Sequence, residues 1–319
     1  MSTAQSGICG SNNATNRRAP LQCNGVEPYV IFNPNAGSVT DVDTVLAQLH
    51  RLKPAIIRLT RARGDAEKFA REAVRKKYDY VVTAGGDGTL NEVINGIAPN
   101  SRNVRVGLIP LGTGNDFARS LGLPGEIQNN IDILAEERNR RVDLVLVRSK
   151  RARYFVNVSA GGFSGPVDEK LTPELKRAWG PLAYVRSAAA ALPQLRIYRA
   201  HILVDDDEQL SLELYNIIIG NGRFVAGGLP IAPDADLSDG LLDVILIPNH
   251  PAPKLALLAA EILLGKHLSN DGVVFRRAKK IRVRARPVMR FNVDGEPVGN
   301  APATFEIVPR ALKFVVPKR

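Results

Sequence analysis

Val81-Val82-Thr83-Ala84-Gly85-Gly86-Asp87-Gly88-Thr89-Leu90-Asn91-Glu92 runs from an apolar strand through a glycine loop straight into a helical pattern. A backbone built this way suits phosphate. Glycines let main-chain N–H groups come close to an anion, and a helix N-terminus adds a favourable dipole. Asp87 is the one carboxylate inside the turn. A carboxylate beside phosphates repels them unless a cation or a donor intervenes, so the turn implies Mg²⁺. Thr89 and Glu92 read as a capping box that sets the start of the helix. Without a ligand the same residues would make a tight strand-to-helix turn, but later glycine loops repeat the theme.

The alternation extends on both sides. Tyr29–Phe32, Ala55–Leu59, Tyr80–Thr83 and Val104–Ile109 read as strands. Val39–Leu52, Ala66–Lys77, Leu90–Ile97, Phe117–Leu121 and Ile127–Glu137 carry helical spacing. Strands alternating with helices predict a parallel sheet with crossover helices. Loops of small and polar residues follow the strands: Asn33-Pro34-Asn35-Ala36-Gly37, Thr60 shortly before Gly64-Asp65-Ala66, Gly85 to Leu90, and Leu111 to Asp116 with the Thr113 hydroxyl. They gather at the carboxyl edge of the sheet, where α/β proteins bind ligands.

The pattern changes near Arg141. Val142–Val147, Tyr154–Val158, Ala200–Val204, Leu210–Ile219, Leu242–Ile247, Lys280–Arg284, Val288–Val293 and Thr304–Val308 read as strands, interrupted by helical stretches at Leu182–Leu192 and Leu255–Gly265. An antiparallel β domain is expected over 142–310, after an α/β domain over 27–141. The final strand, Leu312–Val316 within 311–319, could pair with either domain. Residues 1–26 are polar and Ser-, Asn- and Ala-rich, without the apolar core of a signal peptide, and read as a disordered tail.

A chain of 319 residues favours two domains over one core, and 45% hydrophobic with 24% charged residues describes an ordinary globular protein. Cys9 and Cys23 both precede the first strand, so they cannot staple the folded body and lack metal-ligand spacing. This suits a reducing, cytoplasmic setting. His50, His201, His250 and His267 are scattered, with no metal-binding cluster. Pro181–Leu195 and Leu255–Leu264 are too short to span a bilayer. The net charge of +11 favours an anionic partner. Lys280, Arg282, Arg284 and Arg286 alternate with Ile281, Val283 and Ala285, which puts the basic groups on one strand face. That face is either solvated or a surface for acidic phospholipid.

Taken together, these loops resemble the diacylglycerol kinase catalytic family, which includes bacterial lipid kinases and sphingosine kinases. The resemblance runs from about Tyr29 to the C-terminus. It rests on Asn33-Pro34-x-Ala36-Gly37, Thr60 with Gly64-Asp65-Ala66, Gly85-Gly86-Asp87-Gly88-Thr89-x-Asn91-Glu92-Val93, and Pro110-Leu111-Gly112-Thr113-Gly114-Asn115-Asp116-Phe117-Ala118-Arg119. Asn221-Gly222, Gly227-Gly228, Ala232-Pro233-x-Ala235, Asp239-Gly240-Leu241 and Asp294-Gly295-Glu296 follow in order. The Pro-Leu-Gly-Thr-Gly-Asn-Asp run is closer to bacterial diacylglycerol kinases than to sphingosine kinases. Ala226 and Leu229 depart from the family's more frequent Gly and Met, which bears on the identity of the lipid.

The resemblance implies ATP in a cleft between a three-layer parallel-sheet domain, of the NAD kinase and phosphofructokinase type, and a β-sandwich. It implies that Asn33, Pro34, Asn35, Ala36, Gly37, Thr60, Gly85, Gly86, Asp87, Gly88, Thr89, Leu90, Asn91 and Thr113 bind the nucleotide. It matches Asp236, Asp239 and the Leu241 carbonyl to a structural magnesium site, and Asp294 and Glu296 to the catalytic carboxylates. Glu296 is the favoured proton acceptor, with Asp294 as its partner; if the segment is extended, both side chains face the same way. The expected reaction is ATP-dependent phosphorylation of a lipid hydroxyl, most simply diacylglycerol. Other acceptors are a sphingoid base, phosphatidylglycerol or a soluble NAD-type substrate; a non-catalytic nucleotide- or lipid-binding regulator is the remaining reading. The expected setting is cytoplasmic and peripheral to the membrane, with the basic strand or the Leu182–Leu195 segment as docking elements. No nucleic-acid partner is expected, and exposed strand edges could pair into an oligomer.

Overall fold

The computed structural model describes residues 27–98, 103–136, 138–162 and 196–318. The expected tail, with Cys9 and Cys23, and the Leu182–Leu195 segment lie outside the described residues.

Strands β1 (Tyr29–Phe32), β2 (Ile56–Leu59), β3 (Tyr80–Gly85) and β4 (Arg105–Pro110) run parallel in the order β2-β1-β3-β4. Helices α1 (Val42–Leu49), α2 (Asp65–Arg75), α3 (Asp87–Ile97), α4 (Asp116–Leu121) and α5 (Ile127–Glu136) connect and cover them. Every residue of β1 is buried, since helices cover both faces of the sheet. Tyr29 and Ile31 join a core with Ala66, Ala70, Val93 and Ile94 of α2 and α3. Val30 and Phe32 join a second core with Val45 and Leu49 of α1 and Ile131 and Leu134 of α5. This two-sided packing makes the three layers.

The chain continues as β5 (Asn139–Arg148), β6 (Ala152–Phe155), β7 (Val158–Gly162), β8 (Tyr198–Val204), β9 (Glu208–Gly220), β10 (Phe224–Val225), β11 (Leu229–Pro230) and β12 (Leu242–Pro248). After α6 (Ala252–Leu263) come β13 (Val274–Ala278), β14 (Lys280–Arg286), β15 (Arg290–Val293), β16 (Glu296–Asn300) and β17 (Ala303–Val315). The pairings among β5 to β16 are antiparallel and enclose a separate core that includes Val145, Phe155, Ile217, Val244, Phe291 and Phe305.

Strand β17 links the two domains. Its first half pairs antiparallel with β14, and its end pairs parallel with β4 through Lys313↔Arg105 and Phe314↔Val106. Its other edge is covered throughout by β5. The two strands expected at Thr304–Val308 and Leu312–Val316 are therefore one, broken by a bulge between Val308 and Leu312. Pro309 has no N–H to give a ladder, and Arg310 takes a left-handed φ of 51°. The freed Arg310 N–H donates to Asp143 Oδ1 at 2.6 Å.

Other differences are local. The Tyr154–Val158 strand divides into β6 and β7, and β10, β11, β13 and β16 add to the strands expected from the sequence. The change of pattern near Arg141 falls inside β5. The alternation in β14 is as expected: Ile281 and Val283 are buried, and Arg282, Arg284 and Arg286 are exposed. Among the described residues no helix is long and apolar enough to cross a membrane.

Candidate active site

The loops at the carboxyl ends of β1, β3 and β4 are bonded to one another. Asn33 N–H donates to the Ala84 carbonyl at 2.9 Å, Leu111 N–H to Gly85 at 2.9 Å and Ser38 N–H to Leu111 at 2.8 Å. Asn33 Nδ2 donates to Thr89 Oγ1 at 3.1 Å. Gly86 and Gly112 touch through their backbones: a Cβ on Gly112 would lie 2.6 Å from Gly86 Cα. Only glycine allows that approach. The loops leave a cleft of about 440 Å³ lined by Asn33, Asn35, Ala36, Gly37, Thr60, Gly86, Gly88, Thr89 and Gly112, together with Arg61, Ala62, Arg63, Ala66, Glu92 and Glu296.

Helix α3 starts at Asp87, not after a Thr89–Glu92 capping box. Its N-cap, Gly86, is extended and has no side chain to cap with. Thr89 instead accepts from Asn33, and the Glu92 carboxylate accepts from Gly64 N–H at 2.8 Å and Ala66 N–H at 3.1 Å. Glu92 thus fixes the loop after β2 rather than its own helix start. First-turn N–H groups lack intrahelical acceptors, and here Gly86, Gly88 and Thr89 line the cleft. The arrangement suits an anion.

The turn between β15 and β16 brings in a distant part of the chain. Asp294 and Gly295 both take left-handed φ values, 46° and 84°. The Asp294 carboxylate accepts from Asn91 Nδ2 at 3.0 Å and from the N–H groups of Val156, Asn157 and Val158 at 3.3, 3.2 and 3.1 Å. Burial nevertheless pushes its pKa up to about 6, against the pull of those donors. Glu296 goes elsewhere: it lines the cleft near Gly88 and is ion-paired with Arg63. The expectation that Asp294 and Glu296 face the same way is corrected, because the left-handed turn sends them to different neighbours. Of the two, Glu296 is the one presented to the cleft.

A second acid pair lies behind the loops. Asp87 accepts from the N–H groups of Asp116 and Phe117, each at 3.2 Å, and so anchors the start of α4. Asp116 accepts from Gly227 N–H at 3.0 Å and Gly228 N–H at 2.7 Å. Burial, with the Asp87 charge behind it, pushes the Asp116 carboxyl above the usual carboxylate range. Sequence reasoning missed this role of Asp116. Its signal was an acid closing the Gly112–Asp116 loop, with two adjacent glycines far along the chain.

Residues 27–147 match the diacylglycerol kinase catalytic domain, and residues 157–316 match the YegS C-terminal NAD kinase beta sandwich-like domain. A diacylglycerol kinase of Staphylococcus haemolyticus (strain JCSC1435) is 33% identical over 293 residues, covering 91% of this chain and 88% of that one. The chain belongs to the diacylglycerol kinase catalytic-domain family. A diacylglycerol kinase of Bacillus subtilis (strain 168) is 32% identical, with 91% and 96% of the two chains covered. In fold, the chain is similar to a diacylglycerol kinase from Bacillus anthracis str. Sterne, with a TM-score of 0.69, 22% identity and 91% and 97% coverage. It is also similar in fold to an NAD kinase from Archaeoglobus fulgidus in complex with ATP, with a TM-score of 0.53, 16% identity and 90% and 93% coverage. As a member of a lipid kinase family, this chain is an ATP-dependent kinase with a nucleotide-binding α/β domain and a C-terminal antiparallel β-sandwich.

Within this kinase, the residues expected at the nucleotide divide by position. Asn33, Asn35, Ala36, Gly37, Thr60, Gly86, Gly88 and Thr89 line the cleft. Pro34, Gly85, Asp87, Leu90, Asn91 and Thr113 are not among the lining residues. Leu90 lies in the core, Asn91 holds Asp294, and Thr113 packs against Gly37. Gly85 shapes the turn through its contact with Thr89.

The residues matched to a structural magnesium ion lie between β11 and β12. Asp236 accepts from Ser238 N–H at 2.9 Å and pairs with Arg140 at 2.5 Å. Asp239 pairs with Arg277 and accepts from Leu241 N–H at 3.0 Å. Two carboxylates and a turn carbonyl are hard donors of the kind Mg²⁺ takes. Arg140 and Arg277 already pair with the carboxylates, and Arg277 is shared with Asp243. Among the described residues there is no group of three or more acidic, His or Cys side chains able to hold a metal. The set fits a hard cation in donor chemistry, Arg140 and Arg277 hold its carboxylates in this structure, and no chemical step depends on it.

Proposed function

We propose that the chain transfers the γ-phosphoryl group of ATP to the hydroxyl of a membrane lipid, with diacylglycerol as acceptor and phosphatidic acid as product. The observation that carries this reading is that Glu296, from the β-sandwich, lines the same cleft as the Gly86–Thr89 helix start and the Asn33–Gly37 loop. A proton acceptor and an anion cradle thus face one volume.

In this reading the glycine-loop N–H groups, Asn33, Asn35 and Thr60 hold the polyphosphate. The acceptor oxygen forms a bond to the γ-phosphorus while the bond to the β–γ bridging oxygen breaks. Glu296 takes the hydroxyl proton and ADP leaves. Asp294 does no proton transfer: its lone pairs face Asn91 and three backbone N–H groups, and it positions the turn that carries Glu296. Mg²⁺ bound with the nucleotide would supply charge neutralisation on the phosphates. Asp236, Asp239 and the Leu241 carbonyl remain the proposed holders of a structural ion, which has to displace Arg140 and Arg277.

A lipid acceptor keeps its tails in the bilayer, so the enzyme works at a membrane surface. The exposed row Arg282, Arg284 and Arg286 on β14 is the proposed face for acidic phospholipid. The reading is tested by incubating the chain with ATP, Mg²⁺ and an extracted lipid panel, read by mass spectrometry. A phosphate added to diacylglycerol supports it; phosphorylation of NAD with no lipid product overturns it.

A further inference from the structure

The loop after β2 reaches across the cleft to the proposed proton acceptor. The Arg63 guanidinium pairs with Glu296 Oε2, joining positions 233 residues apart. Its stem is held firmly. Asp65 Oδ2 accepts from the N–H groups of Arg61 and Ala62, each at 2.9 Å, and Glu92 accepts from Gly64 and Ala66 N–H. The Arg63 side chain itself is 74% exposed, so no packing fixes its head on Glu296.

Two features make this pair more than a surface ion pair. Arg61 and Arg63 are the cations among the residues lining the cleft, and among the described residues no lysine lines it. A polyphosphate placed there meets Arg63 beside the group that must take the acceptor's proton. A carboxylate engaged by a guanidinium is a poor proton acceptor until that partner leaves. Guanidinium binds carboxylate and phosphate alike through two parallel hydrogen bonds, but the exposed Arg63–Glu296 pair is worth on the order of 1 kcal/mol or less and a terminal phosphate carries more negative charge than one carboxylate. The exchange of partners is therefore favourable when a terminal phosphate arrives.

We propose that Arg63 is a catalytic and specificity-determining residue that reads the γ-phosphate. In the empty cleft it holds Glu296. When ATP binds, the guanidinium moves to the terminal phosphate, frees Glu296 for the acceptor proton and neutralises charge on the group in transfer. ADP lacks that phosphate and leaves the Arg63–Glu296 pair intact. The inference rests on reading this cleft as the ATP site.

The test is displacement of a fluorescent nucleotide by ATP or ADP, with Mg²⁺, from the full chain and its R63A, R63K, E296Q and R63A/E296Q variants, with turnover measured on the same samples. The wild type should prefer ATP over ADP by about tenfold, and R63A should lose that preference while keeping its ADP affinity. R63K should recover only part of it, because ammonium cannot bind phosphate through two parallel bonds. Turnover by R63A should fall roughly 100-fold, on the scale of losing one transition-state donor. E296Q should gain ATP affinity, since Arg63 is no longer held, and the gain should vanish in R63A/E296Q. An unchanged ATP-to-ADP ratio in R63A, or a gain that persists in the double variant, overturns the proposal. If the wild type binds no ATP, the nucleotide reading of the cleft falls with it; if the wild type binds and transfers and R63A matches it, the Arg63 proposal alone falls.

Discussion

Asn91 Nδ2 donates to Asp294 Oδ2 at 3.0 Å, across 203 residues of sequence. The bond ties helix α3, whose first turn edges the cleft, to the turn that presents Glu296. Asn91 therefore sets the spacing between the proposed phosphate cradle and the proposed proton acceptor without lining the cleft itself.

Asn91→Ala is expected to leave ATP binding close to wild type and to lower kcat about tenfold or more. The lost donor should also cost roughly 1–3 kcal/mol of stability, because the Asp294 carboxylate is left short of one partner. Nucleotide displacement, initial rates and urea unfolding together check this. Weaker ATP binding at unchanged kcat would instead make Asn91 a nucleotide ligand.

Gly112→Ala is expected to abolish nucleotide binding. The new Cβ would lie 2.6 Å from Gly86 Cα and 2.8 Å from Asn115 Oδ1, so both loops must part. Overpacking of this kind costs typically about 1–3 kcal/mol, which a thermal unfolding scan detects. A well-folded Gly112→Ala chain with normal ATP affinity would show that the loop contact does not shape the cleft.

Asp243 gives the chain a pH-dependent stability. It is buried and accepts from Arg277 Nε at 3.1 Å, while its Oδ2 has no hydrogen-bond partner. Burial outweighs the Arg277 charge and pushes the carboxyl up to about 6. Folding therefore favours the protonated form. This group's contribution is fully present below the usual carboxylate range and is lost as pH rises through about 6. Asp243→Asn keeps an acceptor for Arg277 and removes the titration. Between about pH 4.5 and 7.5 the variant should lose less stability than the wild type, by up to roughly 2 kcal/mol. Identical pH dependence in urea unfolding of the two proteins would contradict the assignment.

Charge reversal on β14 addresses the membrane. R284E/R286E should bind vesicles containing phosphatidylglycerol more weakly, by about 1 kcal/mol or more for each reversed charge, with a shallower dependence on salt. Co-sedimentation at two salt concentrations measures both. Unchanged binding would move the docking face to another part of the chain.

The α/β domain was legible because each of its signals is local. Apolar strands, helical spacing and glycine loops each occupy a few consecutive residues, and the parallel order places the loops together. The site's closing half was less so. The roles of Asn91, Glu92, Asp116 and Arg63 depend on partners in other loops, 203 residues away for Asn91 and 233 for Arg63. A single sequence does not carry such pairings. The capping box failed for a related reason: Glu92 found better donors in the Gly64–Ala66 backbone than in its own helix. Strand β17 was read as two because Pro309 interrupts its alternation, although β5 follows it along its whole edge.

In the proposed mechanism Glu296 takes the acceptor's proton. The most direct test is single-turnover transfer from γ-labelled ATP to diacylglycerol in mixed micelles, comparing wild type with Glu296→Gln. Labelled phosphatidic acid is expected from the wild type, and a rate about 100- to 10,000-fold lower from the variant with ATP binding retained. Equal rates of lipid labelling by the two proteins would contradict it.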